Sequence, residues 1–292
     1  MTGVNQDHPI FRSCLYVPGH RPDRIDRAYA SEADAVILDL EDAVPVSQKG
    51  YAREVVAGVT ARATPKPTYV RVNSMLSGLC EDDVRAVAGE GLAGVRLAKV
   101  GHPNEVKRVE RLLAEAACDA VIHPLVETAQ ALEMALPLAT ASPAVGMLGL
   151  GESDLRADLR TAAEGPTMDA CRTRIIIASR AARLPSPCQS VYPEVRDLDG
   201  LARSSRHGKQ LGFIGRMAIH PDQLPVIHEV YTPTPDEIAQ AREICAAADL
   251  ARWQNATIVI TPKGRMVGPP IIANARWTLE LARALNIPAE AS

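Results

Sequence analysis

The sequence predicts an α/β protein, a (β/α)8 TIM barrel followed by a small C-terminal extension of helices and a hairpin. Short apolar runs alternate with helical stretches eight times, in units of about 25–35 residues, which favours a parallel barrel. No G-x-G-x-x-G motif follows the first apolar run, which argues against a dinucleotide-binding sheet. We therefore expect a barrel domain over residues 1–232. Residues 233–292 are too few to fold alone and should pack on the barrel or on a neighbouring subunit.

The strands are predicted from apolar runs that end in Gly, Pro or charged residues. Such runs are typical of parallel strands buried on both faces. Residues 1–10 precede the first run and are expected to be a disordered leader. The second predicted strand lies in the stretch 36–44 and has the acids at or near its C-terminal end. The other predicted strands are 13–17, 68–73, 94–100, 120–128, 145–151, 188–192 and 216–221.

The helices are predicted between these strands from helical spacing of apolar residues and from local start signals. Asn104 is expected to be an N-cap. In the extension, a helix over 234–253, a hairpin-like segment over 258–270 and a helix over 272–285 are expected. The predicted barrel helices are 21–30, 48–63, 82–88, 104–117, 129–139, 168–183, 198–211 and a stretch after 221 that ends near Tyr231.

Composition excludes several classes of protein. The net charge is −3 with both signs interspersed, so neither nucleic acid nor an anionic membrane is expected as a partner. No apolar run approaches the roughly 20 residues that a membrane span needs. The six cysteines include no C-x-x-C pair. This pattern is typical of a reduced, cytoplasmic protein.

The second strand runs into three carboxylates, Asp39, Glu41 and Asp42. Carboxylates beside an apolar core are costly unless something pairs with them, and a hydrated divalent cation is one such partner. Solvated loop acids and helix caps are the alternative interpretation.

Further polar residues fall at predicted strand ends: Arg71, Lys99, Glu127, Asp154 and His220. Active sites of barrels lie at this end of the strands. Glu127 and Asp154 end strands that are neighbours in a barrel, and two carboxylates suit Mg²⁺, which keeps several waters for substrate oxygens. Alternatively, one of the two caps the helix that follows it. Arg71 is either an edge residue or a clamp for an anion.

The turn after the first strand, Gly19-His20-Arg21, opens a helix. A Gly turn with Arg at a helix start can receive a phosphate through backbone N–H groups and side-chain charge. The same residues also suit an ordinary helix start.

Taken in order, several motifs resemble the citrate lyase beta subunit and its relatives, which include malyl-CoA and citramalyl-CoA lyases. These proteins belong to a wider metal-dependent aldolase superfamily. The resemblance covers nearly the whole chain. The motifs that carry it are 15–19, 39–44 with Lys49 and 52–53, 70–73, 125–128, 151–155, 218–223 and 264–267.

The resemblance implies a barrel with Mg²⁺ held by Glu127 and Asp154, and with Asp42 acting through water. A 2-keto or 2-hydroxy acid would chelate the metal. The catalytic residues would be Arg71, Glu41 and Asp42, with Arg71 stabilising an enolate or keto oxygen. A homotrimer or a dimer of trimers is implied as the assembly. The residues implied to bind the CoA thioester are Gly19, Arg21, Arg24 and Lys49.

Three positions depart from the pattern of that family. Gly268 stands where the lyases carry an Asp that serves as acid/base, Gln189 replaces a frequent Asp, and Ala98 replaces a Pro. A glycine cannot transfer a proton. The sequence therefore leaves three functions open. They are a carbon–carbon lyase for a short keto or hydroxy acid, free or as its CoA thioester; a metal and keto-acid binding subunit or regulator without lyase activity; and a pyruvate-type aldolase acting on free aldehydes.

Overall fold

The computed structural model describes residues 11–253, 259–261, 264, 266–285 and 287. The predicted leader, 1–10, and part of the predicted hairpin segment lie outside the described residues. Contacts divide the chain into two compact units, Met1–Val230 and Tyr231–Ser292.

The first unit is built on a seven-stranded, wholly parallel sheet, which confirms the α/β class. Its spatial order is β6-β5-β4-β3-β2-β1-β7, so consecutive strands are neighbours from β1 to β6 and β7 returns to pair with β1. The strands are β1 Ser13–Pro18, β2 Ala35–Asp39, β3 Thr68–Val72, β4 Leu92–Leu97, β5 Val121–Val126, β6 Gly149–Leu150 and β7 Arg216–Ala218.

The prediction that the acids fall at or near the C-terminal end of the second strand is confirmed. β2 ends at Asp39, because the carboxylate of this residue forms a turn with the chain that follows. Its Oδ1 accepts the Glu41 amide at 2.9 Å and its Oδ2 accepts the Ala43 amide at 3.0 Å. The two backbone donors are thereby diverted from the sheet, and the acidic residues come to lie on a loop at its edge.

The segment predicted as the seventh strand, 188–192, forms a single parallel bridge and no regular strand. Gln189 donates its amide to Gly215 at 2.8 Å and accepts from Met217 at 2.9 Å. On the side of β6, the segment is connected through a side chain. The Ser190 hydroxyl donates to the Leu150 carbonyl and accepts a hydrogen bond from the Glu152 amide at 3.3 Å. Prolines on either side of this segment remove donors that a longer ladder would need. A closed eight-stranded barrel therefore stays a prediction.

The predicted helices are largely present, with three differences. The stretch 129–139 forms two short helices, and a helix that the sequence did not predict, α7, follows β6. In α4 the N-cap is His102 and not Asn104, because its Nδ1 accepts the Asn104 amide at 3.1 Å. The helices of this unit are α1 Pro22–Ala30, α2 Lys49–Thr60, α3 Cys80–Val87, α4 Pro103–Glu115, α5 Ala129–Glu133, α6 Ala135–Ala139, α7 Glu152–Leu159, α8 Pro166–Ala181, α9 Leu198–Leu211 and α10 Leu224–Tyr231.

The second unit pairs α11, Pro235–Trp253, with α12, Pro269–Ala284. Two short antiparallel strands, β8 Val259–Ile260 and β9 Met266–Val267, lie between them in sequence, as the hairpin prediction required. Its core is a small apolar cluster of Ala241, Ile244, Val267 and Ala275. Within the described ranges, no helix of either unit combines the length and apolar character needed to span a bilayer.

Candidate active site

The carboxyl ends of the strands enclose a cavity of about 260 Å³. Five of the polar side chains that line it come from β2, β3 and β4, from the residue directly after β5 and from the helix after β6, because parallel strands place their carboxyl ends at one edge of a sheet. These side chains are Asp39, Arg71, Arg96, Glu127 and Asp154.

Arg71 on β3 is held by the adjacent strand. Its Nε lies 2.7 Å from Asp39 Oδ1 and its Nη2 lies 2.6 Å from Asp39 Oδ2, which is a bidentate pair. Burial by itself would lower the pKa of Arg71, but the Asp39 carboxylate raises it well above the ordinary value. Asp39 is therefore a positioning residue that fixes a permanently charged guanidinium beside the cavity.

Glu41 and Asp42 are neutralised by Arg71 and Lys99. Arg71 Nη1 lies 3.1 Å from Glu41 and 3.4 Å from Asp42, and the Lys99 ammonium pairs with Glu41 and lies 3.1 Å from Asp42. Burial raises the pKa of Glu41 despite these cations. For Asp42, which is half exposed, burial opposes ionisation but the hydrogen bond from Glu41 and the two cations lower the pKa.

Glu127 and Asp154 differ from the acids of β2, since neither has a cation within ion-pair distance among the described side chains. Glu127 is 3% exposed and accepts one hydrogen bond, from the Lys99 amide at 3.0 Å. Burial, followed by the charges of Glu41 and Asp154, raises the pKa of Glu127 to about 7. The two carboxylates therefore lie close enough to repel each other, and among the described side chains neither forms an ion pair.

The structure argues against a capping role for these two acids. The residue that caps α5 is Thr128, whose hydroxyl accepts the Ala131 amide at 3.1 Å, and the N-cap position of α7 is Gly151. Gly151 has a second role, because a Cβ at this position would lie 2.5 Å from Glu127 Oε1. A glycine is therefore needed to leave room for the Glu127 carboxylate.

The donor set fits a magnesium ion. Mg²⁺ takes one or two carboxylates and keeps waters in its remaining positions, and Glu127 and Asp154 supply the carboxylates. Within the described ranges, no three His, Cys, Asp or Glu side chains gather in a way that could hold a metal. That finding disfavours an all-protein cage, such as a structural zinc site, and leaves a two-carboxylate site open to substrate oxygens.

The residues that the family resemblance links to CoA are differently engaged. Gly19 donates its amide to Asp39 O at 2.8 Å, and a Cβ here would lie 2.8 Å from Val56, so close packing accounts for this glycine. Arg21 pairs with Asp23 at 2.8 Å. Lys49 donates to the carbonyls of Leu40 and Glu41 at 2.7 and 2.6 Å. Arg24 is exposed on α1. A CoA-binding role for Gly19, Arg21, Arg24 and Lys49 stays a prediction, and Arg24 is the member most available for it.

Sequence reasoning misplaced one residue and missed another. His220 does not line the cavity, because its Nδ1 accepts the Asp222 amide at 3.2 Å and caps a short 3₁₀ turn. Arg96 on β4 was not singled out, although it is buried and lines the cavity. The sequence contains a pattern that could have identified Arg96. The similar triplets Val-Arg-Val on β3 and Val-Arg-Leu on β4 place Arg71 and Arg96 opposite each other in the sheet.

The chain is similar to several known proteins. The family model described as HpcH/HpaI aldolase/citrate lyase matches residues 12–221. The (3S)-malyl-CoA thioesterase of Cereibacter sphaeroides is 34% identical, covering 97% of this chain and 98% of its own. Citrate lyase subunit beta of Escherichia coli is 31% identical, covering 96% and 95%. A crystal structure of CitE from Mycobacterium tuberculosis in complex with magnesium, acetoacetate and coenzyme A superimposes with a TM-score of 0.76 at 28% identity, covering 95% and 99%.

Proposed function

The chain belongs to the HpcH/HpaI aldolase/citrate lyase family, and we propose that it is a Mg²⁺-dependent carbon–carbon lyase. Its substrate would be the CoA thioester of a short 2-hydroxy acid, which is cleaved to a 2-keto acid and a shorter acyl-CoA. The observation that carries the proposal is one cavity lined by Arg71, Glu127 and Asp154, in which the two carboxylates have no cation within ion-pair distance among the described side chains.

Glu127 and Asp154 would hold the metal, and Asp42 would contact its water shell. When bound, Mg²⁺ supplies a Lewis acid that polarises the oxygen on the carbon to be cleaved. The CitE structure described above carries magnesium together with acetoacetate and coenzyme A. The raised pKa of Glu127 supports this assignment, because a cation would favour its ionised form.

Arg71 would stabilise the negative charge that develops on the thioester oxygen. Its side chain is well suited to this role, since Asp39 fixes two of its nitrogens and the third, Nη1, has longer contacts at 3.1 and 3.4 Å. A donor that is already oriented needs no reorganisation as charge develops. Glu41 would contribute by holding both Arg71 and Lys99 at the edge of the cavity.

Closure of the sheet and assembly are part of the same proposal. The segment around Gln189 and Ser190 would complete an eight-membered barrel, which its backbone bonds to β7 and its hydroxyl bond to Leu150 support. The second unit would pack at a boundary between subunits of a homotrimer or a dimer of trimers in the cytoplasm, as the family resemblance implies.

Thioester hydrolysis is a second candidate function. Cleavage of a carbon–carbon bond leaves an enolate that must be protonated, and Gly268 offers no acid at the position implied by the resemblance. Hydrolysis yields a hydroxy acid and free CoA without any carbon protonation. One relative is itself named a malyl-CoA thioesterase.

Product analysis separates the two functions. Purified protein is incubated with malyl-CoA, citramalyl-CoA and citryl-CoA, with Mg²⁺ or with excess EDTA, and products are resolved by mass spectrometry. The lyase proposal expects a keto acid and a shorter acyl-CoA in equal amounts, and only with Mg²⁺. Free CoA with the intact hydroxy acid would establish hydrolysis and overturn the lyase proposal, and turnover that persists in EDTA would overturn the role of the metal.

A further inference from the structure

Arg96 is a second arginine in the cavity that the proposed mechanism does not use. It lies on β4 in register with Arg71 on β3 and with His123 on β5, and it is 4% exposed. Its Nε donates to the Tyr16 hydroxyl at 3.2 Å and its Nη1 lies 3.4 Å from His123 Nδ1. Both guanidinium groups lie over the ring of Tyr16, with the Cζ atoms of Arg71 and Arg96 at 5.1 Å and 5.9 Å from the ring centroid.

The two arginines differ in how their charge is balanced. Arg71 contacts three carboxylates, whereas Arg96 has none within 4 Å among the described side chains. Its Nη2 has no acceptor in the described part of the chain either. A buried charge without a counterion is costly. The arrangement therefore predicts an anionic ligand at Arg96.

The space for such a ligand is the cavity that Arg96 lines. Gly149 on β6 makes room for the guanidinium itself, since a Cβ on this residue would be 2.9 Å from Arg96 Nη2 and 2.4 Å from Leu125 Cδ2. A cavity of about 260 Å³ suits a short organic acid and is too small for a nucleotide. The anion that reaches Arg96 must therefore be part of the small acid itself.

We propose that Arg96 binds a second carboxylate of the substrate acid and makes the site selective for dicarboxylates over monocarboxylates. This inference rests on the proposed function, in which the first carboxylate and the 2-oxygen of the acid face Glu127 and Asp154. A carboxylate further along the acid then turns away from these two negative groups and towards the unbalanced guanidinium. The substrate class is accordingly a 2-oxygenated dicarboxylate, such as a four-carbon keto diacid.

Two stable ligands of the same carbon number test the selectivity. Malate carries the second carboxylate, and 2-hydroxybutanoate carries a methyl group in its place. Their dissociation constants are measured by titration calorimetry in excess Mg²⁺. We expect the wild type to prefer malate by about 10- to 100-fold, as for a hydrogen bond to a charged group. Arg96→Met should abolish this preference without changing affinity for 2-hydroxybutanoate, and Arg96→Lys should keep part of it.

Arg216→Lys is the matched control, because Arg216 is also a buried strand arginine but does not line the cavity. It should leave the preference for malate intact. If Arg96→Met lowers the affinity for malate and for 2-hydroxybutanoate by the same factor, Arg96 is a structural residue and the inference is overturned. A wild type that binds both acids with equal affinity would also overturn it, even if Arg96→Met does not fold. Failure of the wild type to bind either acid with Mg²⁺ would also overturn the inference. The proposed function fails separately, when the product analysis shows no Mg²⁺-dependent cleavage of any of the three thioesters.

Discussion

Substitution of Glu127 by Gln should stabilise the protein in the absence of metal. The pKa of Glu127 rises from its ordinary value of 4.5 to about 7 in the folded protein, chiefly through burial. Since the folded state then holds the proton more tightly than the unfolded chain, stability falls as the pH rises through this range. At about 1.4 kcal/mol per pKa unit, the ionised side chain costs about 3 kcal/mol above pH 7. Glutamine has nearly the same shape and no charge.

Thermal unfolding in EDTA measures this effect. At pH 8 we expect Glu127→Gln to unfold at least about 6 °C above the wild type, as follows from about 3 kcal/mol in a unit of this size. The difference should shrink towards pH 5, where the wild-type carboxyl is protonated.

Asp83→Asn is the matched control for this experiment. Asp83 is equally buried but pairs with Arg53 at 2.8 Å and accepts the Asn73 amide at 3.0 Å. Its substitution should therefore lower the unfolding temperature in EDTA at pH 8, since it leaves a cation without its partner. A wild type that is as stable as Glu127→Gln, or more stable, at pH 8 would refute the claim that Glu127 carries an uncompensated charge.

Three further predictions concern pH, catalysis and assembly. Below about pH 7, protons should compete with Mg²⁺ at Glu127, so the Mg²⁺ affinity measured by calorimetry should fall about tenfold per pH unit; a constant affinity from pH 8 to 6 would contradict this. Gly268→Asp should raise the steady-state rate on malyl-CoA or citramalyl-CoA by about 10²–10⁴. The position accepts a side chain, since Gly268 has φ of −96° and, among the described residues, a Cβ would meet only Pro270, at 3.7 Å. Robust wild-type cleavage that the variant does not improve would show that another group supplies the proton. Light scattering should give a trimer or hexamer, and a monomer at micromolar concentration would refute the assembly.

Much of the sheet could be predicted from the sequence because its parallel strands are buried on both faces. β2 is apolar until its last residue, Asp39, and in β3 and β5 apolar residues predominate, with Arg71 next to the last residue of β3 and Glu127 directly after β5. Both the strands and the polar side chains near their ends are therefore visible in the sequence. Glu127 and Asp154 could be paired for the same reason, since they follow consecutive strands, although Asp154 lies in the first turn of α7 and does not end β6.

The partners of the charged residues could not be predicted, because they depend on register between strands. Asp39, Glu41 and Asp42 form one acidic motif in sequence. In the structure, Asp39 lies opposite Arg71 on the next strand and clamps it, while the other two acids share Arg71 with Lys99.

Local backbone chemistry explains the remaining differences. The seventh predicted strand has a suitable apolar pattern, but flanking prolines reduce it to one bridge at Gln189. Helix α7, Glu152–Leu159, lacks a clear apolar stripe, because Leu155 is its one buried residue. The mixture of acidic and basic side chains around that leucine is typical of a loop as much as of a helix.

The most direct test of the account is the stabilisation of the protein by Mg²⁺. A ligand that binds only the folded state stabilises it by about 2.7 kcal/mol at a concentration of 100 times its dissociation constant. The wild type should therefore unfold at a higher temperature as Mg²⁺ is added, and Glu127→Ala/Asp154→Ala should not respond to the metal. Full stabilisation of the double variant by Mg²⁺ would contradict the central claim that these two carboxylates hold the metal.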